Sequence, residues 1–265
     1  MKQRILTGVV LLPLLLLFIH YTPSVGMVVF SSVLTLIGLR ELYAMLLPQA
    51  RPVECWLATF LGTTLVPLVF FGPLYFQAGL LFAFFLLALL FLFRFADLTT
   101  VVTHLALVLF GLFYVSLLLG HLPLLHALPQ GREWIYLVLL IVMGSDTAAY
   151  FVGVSCGKRR LYPSISPKKS LEGSLGGLAG SLAGAALAKI WFFAALGWID
   201  VVLLAFLLGI LGPLGDLFES MLKRGCNVKD SGNLIPGHGG LLDRLDSLLF
   251  TFPLAYYYAL WRWPL

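Results

Sequence analysis

Charge is what this chain has least of. Only 11% of its residues are Asp, Glu, Lys or Arg, 60% are hydrophobic, and the mean hydropathy is +1.00. No long polar segment is present to clothe a soluble core, so a large soluble domain is excluded. Cysteine is scarce as well: Cys55, Cys156 and Cys226 stand far apart with no C-x-x-C spacing. That pattern makes neither a disulfide framework nor a zinc site and leaves free thiols. There is no G-x-x-x-x-G-K-[ST] loop and no G-x-S-x-G turn, so any nucleotide is held by another architecture. Strict apolar–polar alternation is missing too, which disfavours a β-barrel.

What the chain has is continuous apolar runs long enough to cross a bilayer as helices. About nine spans are expected, near 5–20, 24–47, 55–71, 74–93, 101–125, 134–155, 173–196, 199–222 and 241–261. The expected fold class is therefore all-α, a polytopic integral membrane protein. The first run has the basic start of a signal peptide. It is long and lacks a small-x-small cleavage site, so it reads as a retained helix. The third run is short and carries Pro67, which suits either a kink or a helical hairpin with the fourth.

Orientation follows from where the cations lie. The loop GKRRLYPSISPKKS carries Lys158, Arg159, Arg160, Lys168 and Lys169, and the loop after the eighth span carries Lys223, Arg224 and Lys229. Placing both in the cytoplasm also places Lys2, Arg4, Arg51 and Arg94 inside. The weakly charged turns near Tyr21, Gly72, Arg132/Glu133 and Asp200 then face outward. The N-terminus is expected to be cytoplasmic and the C-terminus outside. The net charge of +5 belongs to this membrane pattern and implies no nucleic-acid partner.

Texture divides the chain. Residues 1–130 are plain apolar helices, expected to be a scaffold or assembly region. Residues 131–265 hold most of the unusual polar residues and are expected to be catalytic. Within them, LEGSLGGLAGSLAGAALAK has small residues at four-residue spacing, as at Gly173–Gly177 and Gly180–Gly184, which lets another helix approach closely.

The densest polar stretch is SMLKRGCNVKDSGNLIPGHGGLLDRLD, Ser220 to Asp246. Cations suit phosphates, and carboxylates suit a hard divalent metal. Asp243 and Asp246, three apart at a helix start, share a face. Gly239 and Gly240 before them permit a sharp turn, and the orphan amides of the helix start favour an anion. Two carboxylates plus phosphate oxygens make an Mg²⁺ site of the usual kind, while the bland alternative is a helix cap at Asp243 with an Asp246–Arg244 surface pair. Asp216 and Glu219 repeat the three-residue spacing, with Ser220 on the Asp216 face. Glu219–Lys223 is equally readable as an i, i+4 ion pair. Lys223, Arg224 and Lys229 suit either a polyphosphate or topology alone. Lys168 and Lys169 precede a helix start at Ser170, where two cations oppose the helix dipole unless an anion sits there. Asp146 lies within an apolar span and needs a partner, a proton or a metal. His238 suits phosphate binding or a structural turn.

S-x-x-K-R-x4-K-D-x-G-x2-I-P-G-H-G-G-L-x-D-R-x-D, from Ser220 to Asp246, resembles the signature of the phosphatidate cytidylyltransferase (CDP-diacylglycerol synthase) family. The likeness extends to Gly215-Asp216-Leu217, Ser166-Pro167-Lys168-Lys169, Asp146-Thr147 and Ala149-Tyr150. It departs at Ser170-Leu171, where the family usually has Thr-Trp, and at Ala148, where Gly is common. It covers the C-terminal half, and residues 1–130 resemble the family only in hydropathy.

The resemblance implies transfer of the cytidylyl group of CTP to phosphatidate, giving CDP-diacylglycerol and pyrophosphate for phospholipid synthesis. It implies Mg²⁺, one or two ions, on Asp243 and Asp246 with Asp216 nearby and Asp146 as a further candidate. Lys169, Lys223 and Arg224 would add catalytic positive charge. Lys168, Ser220, Lys229, His238 and Arg244 complete the expected substrate contacts. The expected setting is the bacterial inner membrane with the site on the cytoplasmic side, and a homodimer is compatible with it. A CTP-dependent polyprenol or phytol kinase is the nearest alternative. An ion-coupled transporter is a more distant one, since no internal repeat is evident.

Overall fold

In lipid a backbone amide must find its partner within its own segment, so long apolar runs fold as helices. A computed structural model describes residues 2–47, 52–94, 98–234 and 239–263, with side chains from Leu12 onward. Its helices are α1 (Lys2–Tyr21), α2 (Ser24–Leu46), α3 (Pro52–Phe71), α4 (Pro73–Arg94), α5 (Leu98–Gly111), α6 (Leu118–Ala127), α7 (Gly131–Cys156), α8 (Leu171–Trp191), α9 (Trp198–Gly225) and α10 (Leu242–Arg262). A π-helical stretch, Leu112–Leu117, joins α5 to α6 without a break, so the described residues form nine helical rods. Six of these, α2, α3, α4, the α5–α6 rod, α7 and α9, are long and apolar enough by themselves to cross a membrane. The protein is thus an integral membrane protein. Two of the other rods explain their lower hydropathy locally: α8 spends many positions on Gly, Ala and Ser, and α10 opens with Asp243, Arg244 and Asp246.

The chain divides into two compact units. The first is Met1–Ala127 with Asp230–Asp243, and the second is Leu128–Lys229 with Arg244–Leu265. The short segment Asp230–Asp243 therefore belongs with the first six helices, although its sequence signature lies in the C-terminal half.

In the first unit, α3 and α4 form the helical hairpin that the third run allowed. The turn is a single residue, Gly72, at φ +129°, a conformation that glycine adopts without a Cβ clash. Pro67 lies inside α3 without ending it. Arg94, at the end of α4, lies 3.8 Å from the buried Glu54 near the start of α3. The Tyr43 hydroxyl of α2 donates to the Val108 carbonyl at 2.7 Å, which fixes α2 against α5.

In the second unit, α7 and α8 pack along their small residues. A Cβ on Gly144 would come within 2.7 Å of the Gly180 carbonyl oxygen, and one on Gly184 within 2.5 Å of the Leu140 carbonyl oxygen. Backbones this close are what small residues at four-residue spacing permit. One end of the unit is tied by Asp200, which accepts from Tyr258 Oη at 2.8 Å, Arg262 Nε at 3.0 Å and the Gly197 amide at 2.9 Å. Trp134 packs beside it with Phe193 and Trp263, at ring separations of 5.2 and 5.4 Å.

Two expectations need correction here. The seventh span was expected to reach residue 196, but α8 ends at Trp191. Phe192 and Phe193 continue the apolar run, yet both amides bond back to the Ala188 carbonyl and the chain turns there. The basic loop is also not all loop: β1 (Arg160–Tyr162) and β2 (Ser166–Ser170) form a small antiparallel hairpin in an otherwise helical protein. Pro163 and Pro167 hide it from a pattern search, because proline is a poor strand residue except at edges.

Candidate active site

Lys169 is the residue from which the second unit's polar cluster is built. It is the next-to-last residue of β2, and just beyond that strand the Leu171 amide bonds the Arg159 carbonyl at 2.9 Å and so closes the hairpin onto α8. Ser170 is the N-cap of α8, as its sequence suggested, and its hydroxyl accepts from the Gly173 amide at 3.1 Å. Glu172 accepts from the Lys158 amide at 3.0 Å and the Arg159 amide at 3.1 Å, which pins the loop's other strand to the same helix start. The Lys169 side chain, held by this framework, meets α9: Nζ lies 2.7 Å from Asp216 Oδ2 and 3.4 Å from the Pro213 carbonyl.

Asp216 is the centre of the cluster. Ser220, one turn on, donates to its Oδ1 at 3.3 Å. Asp146 of α7 lies within electrostatic range of Asp216 and Lys169, and Asp246 of α10 within range of Asp216, Lys223 and Asp146. Gly215 makes the α9–α10 approach possible, since a Cβ there would strike the Asp246 carbonyl oxygen. Asp246 also accepts from the Ser247 amide at 2.6 Å. Three carboxylates therefore share one field, with Lys169 against one of them. Like charges that feel one another favour further positive charge nearby.

Glu219 and Lys223 form the expected i, i+4 pair, at 3.2 Å. It is not a surface pair: Glu219 is fully buried and Lys223 is 8% exposed. Arg224 is exposed and points elsewhere, donating to the Ile165 carbonyl of the hairpin turn at 3.4 Å and to the Val228 carbonyl at 3.5 Å. Lys168, Lys229 and Arg244 are exposed, and His238 lies outside the described residues. Burial pushes the thiol of Cys226, just beyond α9, above its ordinary range, which makes it a poor nucleophile.

Asp243 has a different environment, described with the first unit. Its Oδ2 accepts from the Gly240 amide at 2.8 Å, the Ser231 amide at 2.9 Å and the Ser231 hydroxyl at 3.1 Å. The helix-start amides expected to attract an anion already face one: Leu241 and Leu242 donate to the two carboxylate oxygens of Glu41, each at 2.9 Å. Glu41 was missed in the sequence because it stands alone at the end of α2, some 200 positions from its partners. The one available signal was a carboxylate, beside Arg40, in a nearly uncharged stretch.

The described residues contain no group of three or more His, Cys, Asp or Glu side chains placed as a ready-made metal cage. Mg²⁺ rarely needs one, since it takes one or two carboxylates and completes its shell with water and phosphate oxygens. Asp216 and Asp246, within electrostatic range of each other, are oxygen donors of the type such an ion takes.

Fold and site together define a polytopic membrane protein with a cluster of acidic and basic side chains contributed by α7, α9, α10 and the β-hairpin. The chain belongs to the cytidylyltransferase family, which matches residues 2–261. It is 44% identical over 127 residues to the phosphatidate cytidylyltransferase of Bacillus subtilis (strain 168), covering 48% of this chain and 47% of that protein. It is 45% identical over 137 residues to the phosphatidate cytidylyltransferase of Synechocystis sp. (strain ATCC 27184 / PCC 6803 / Kazusa), covering 51% and 46%. It is also 42% identical over 145 residues to the uncharacterized protein YnbB of Escherichia coli (strain K12), covering 53% and 48%. The matched stretch spans about half the length of these curated relatives.

Proposed function

We propose that this protein transfers the cytidylyl group of CTP to phosphatidate, forming CDP-diacylglycerol and releasing pyrophosphate. The observation that carries the reading is the cluster around Asp216, where Lys169 is ion-paired and Asp146 and Asp246 lie in electrostatic range. The family and the names of the relatives support the same substrates.

In this reaction an oxygen of the lipid phosphate attacks the α-phosphorus of CTP. The bond from that phosphorus to the oxygen bridging the β-phosphate breaks, and pyrophosphate leaves with the electron pair. The attacking phosphate monoester is already largely dianionic near neutral pH, so no strong base is required. What the reaction needs is positive charge around a crowded polyanion. Lys169, held at the head of α8 by the hairpin, supplies one fixed cation. Ser220 orients Asp216, and the buried Glu219–Lys223 pair fixes the turn of α9 that carries both. Mg²⁺, held by Asp216 and Asp246 with Asp146 beside them, would neutralise the nucleotide and the leaving pyrophosphate.

Phosphatidate comes from the bilayer and CTP from the cytosol, so the reading places the site at the cytoplasmic face of a bacterial inner membrane. The cation-rich Lys158–Lys169 loop supports that side. The deciding experiment supplies the purified protein with phosphatidate, Mg²⁺ and CTP labelled at either the α- or the γ-phosphate. Lipid labelled only by the α-label is expected. Lipid labelled by the γ-label would instead establish phosphoryl transfer to a lipid alcohol. Topology has its own test: a cysteine introduced at Arg159 in a cysteine-free background should react with an impermeant reagent only from the cytoplasmic side.

A further inference from the structure

Glu41 stands one turn from the end of α2, among residues that otherwise build an apolar helix. Its two carboxylate oxygens are used on one target. Oε1 accepts from the Leu241 amide and Oε2 from the Leu242 amide, each at 2.9 Å. They are the first amide of α10 and the one just before it, at the helix start where amides have no internal partner. A helix is usually capped by a residue just before it. Here the cap comes from another helix 200 positions away, so it fixes not only the amides but the place in the first unit where α10 begins.

The surrounding residues are shaped to that carboxylate. A Cβ on Gly232 would come within 2.7 Å of Glu41 Oε1, and one on Gly240 within 2.5 Å of Oε2. Gly232 and Gly240 thus leave the room that the Glu41 carboxylate occupies. Ser231 adds a link. Its hydroxyl lies 3.1 Å from Glu41 Oε2 and 3.1 Å from Asp243 Oδ2. A hydroxyl has a single proton to donate, so the two carboxylates share it. Asp243 in turn holds the Gly240 and Ser231 amides. The chain of contacts runs from α2 through Glu41 and Ser231 to Asp243, and closes on the loop backbone.

We infer that Glu41 is a positioning residue of this enzyme, one that sets the start of α10 and the orientation of Asp243 without touching substrate. The inference rests on the cytidylyl-transfer reading for its kinetic consequence, and on the hydrogen bonds alone for its structural one. Carboxylates that orient the groups behind a phosphate or metal site commonly change activity by about 10-fold to 100-fold when removed. A group that served stability alone would leave the turnover of each folded molecule unchanged.

The test uses the full-length protein in nanodiscs with Glu41→Gln, and Ser231→Ala as a second, milder variant should the first fold poorly. Glu41→Gln keeps the shape but turns an NH₂ group toward a backbone donor. Two quantities are read: deuterium exchange at the Leu241 and Leu242 amides, and kcat and KM for CTP per folded molecule. Faster exchange at those amides is expected, with kcat lowered about tenfold or more and KM for CTP held within about twofold. Ser231→Ala should move both readouts the same way by less. Unchanged exchange overturns the inference, and so does a wild-type kcat alongside faster exchange. Should the wild-type protein form no CDP-diacylglycerol at all, the reaction reading fails by itself, and the exchange result still decides whether Glu41 holds the helix start.

Discussion

The two units treat the same chemical group in opposite ways. In the first, both oxygens of Glu41 and Oδ2 of Asp243 accept from N–H and O–H donors at the start of α10 and in the loop before it. In the second, Asp216, Asp246 and Asp146 face a lysine, a serine and one another. A carboxylate whose lone pairs are taken by amides is a structural clamp. One in the field of other carboxylates favours a cation beside it. Asp243 and Asp246 lie three positions apart on one helix, and their neighbours give them different work.

The largest expected effect concerns the ion pair that both readings of the sequence left open. Glu219 is fully buried, so removing its cation strands a charge in an apolar interior. Lys223→Met should destabilise the protein by about 3–5 kcal/mol, measured by denaturant unfolding in detergent micelles. Lys223→Met with Glu219→Gln should recover most of that loss. An unfolding midpoint for Lys223→Met equal to wild type would show that the pair is not what holds this turn of α9.

Next come the carboxylates of the second unit. Asp216→Asn and Asp246→Asn should each lower pyrophosphate release roughly 10²-fold or more, in proteins that remain folded and membrane-inserted. Asp243→Asn should cost less, about tenfold, because an amide oxygen can still accept from Gly240 and Ser231. The comparison between the units predicts this order. Equal losses at Asp243 and Asp246 would break it and restore the simpler view of two equivalent ligands on one helix face.

The nine rods were legible in the sequence because lipid allows apolar runs few other structures, and the α3–α4 hairpin was one of two readings that Pro67 left open. The α8 start was legible too, since Ser170 followed by Glu172 and Gly173 has the chemistry of a cap. Asp216 and Lys169 were both visible as candidates, but not that they meet, because 44 to 47 positions separate the segments and no local period records the distance. The Asp243 environment was invisible for the same reason. The sequence shows two aspartates at helical spacing, and nothing in it says that α2 sends Glu41 to the amides just before them. Spacing along one element can be read from sequence, whereas donors arriving from another element cannot.

The smallest expected effect tests the edge of the second unit's cluster. Arg224 is exposed and makes two long hydrogen bonds, Nε to the Ile165 carbonyl at 3.4 Å and Nη1 to the Val228 carbonyl at 3.5 Å. Its planar fork bridges the β-hairpin turn and the segment that follows α9. Lysine keeps the charge but cannot span both carbonyls with one ammonium. The hairpin carries Lys169 to Asp216, so loosening its turn should blur the position of that cation without removing it. Two weak exposed bonds contribute no more than about 1 kcal/mol, so Arg224→Lys should slow turnover by roughly fivefold at most. The loss should appear in kcat, with membrane orientation unchanged, because either side chain satisfies the positive-inside preference. A loss as deep as that of Asp216→Asn would mean that Arg224 grips a phosphate itself. No loss at all would leave it a topology residue, and the hairpin would then hold Lys169 through its own strands and Glu172 alone.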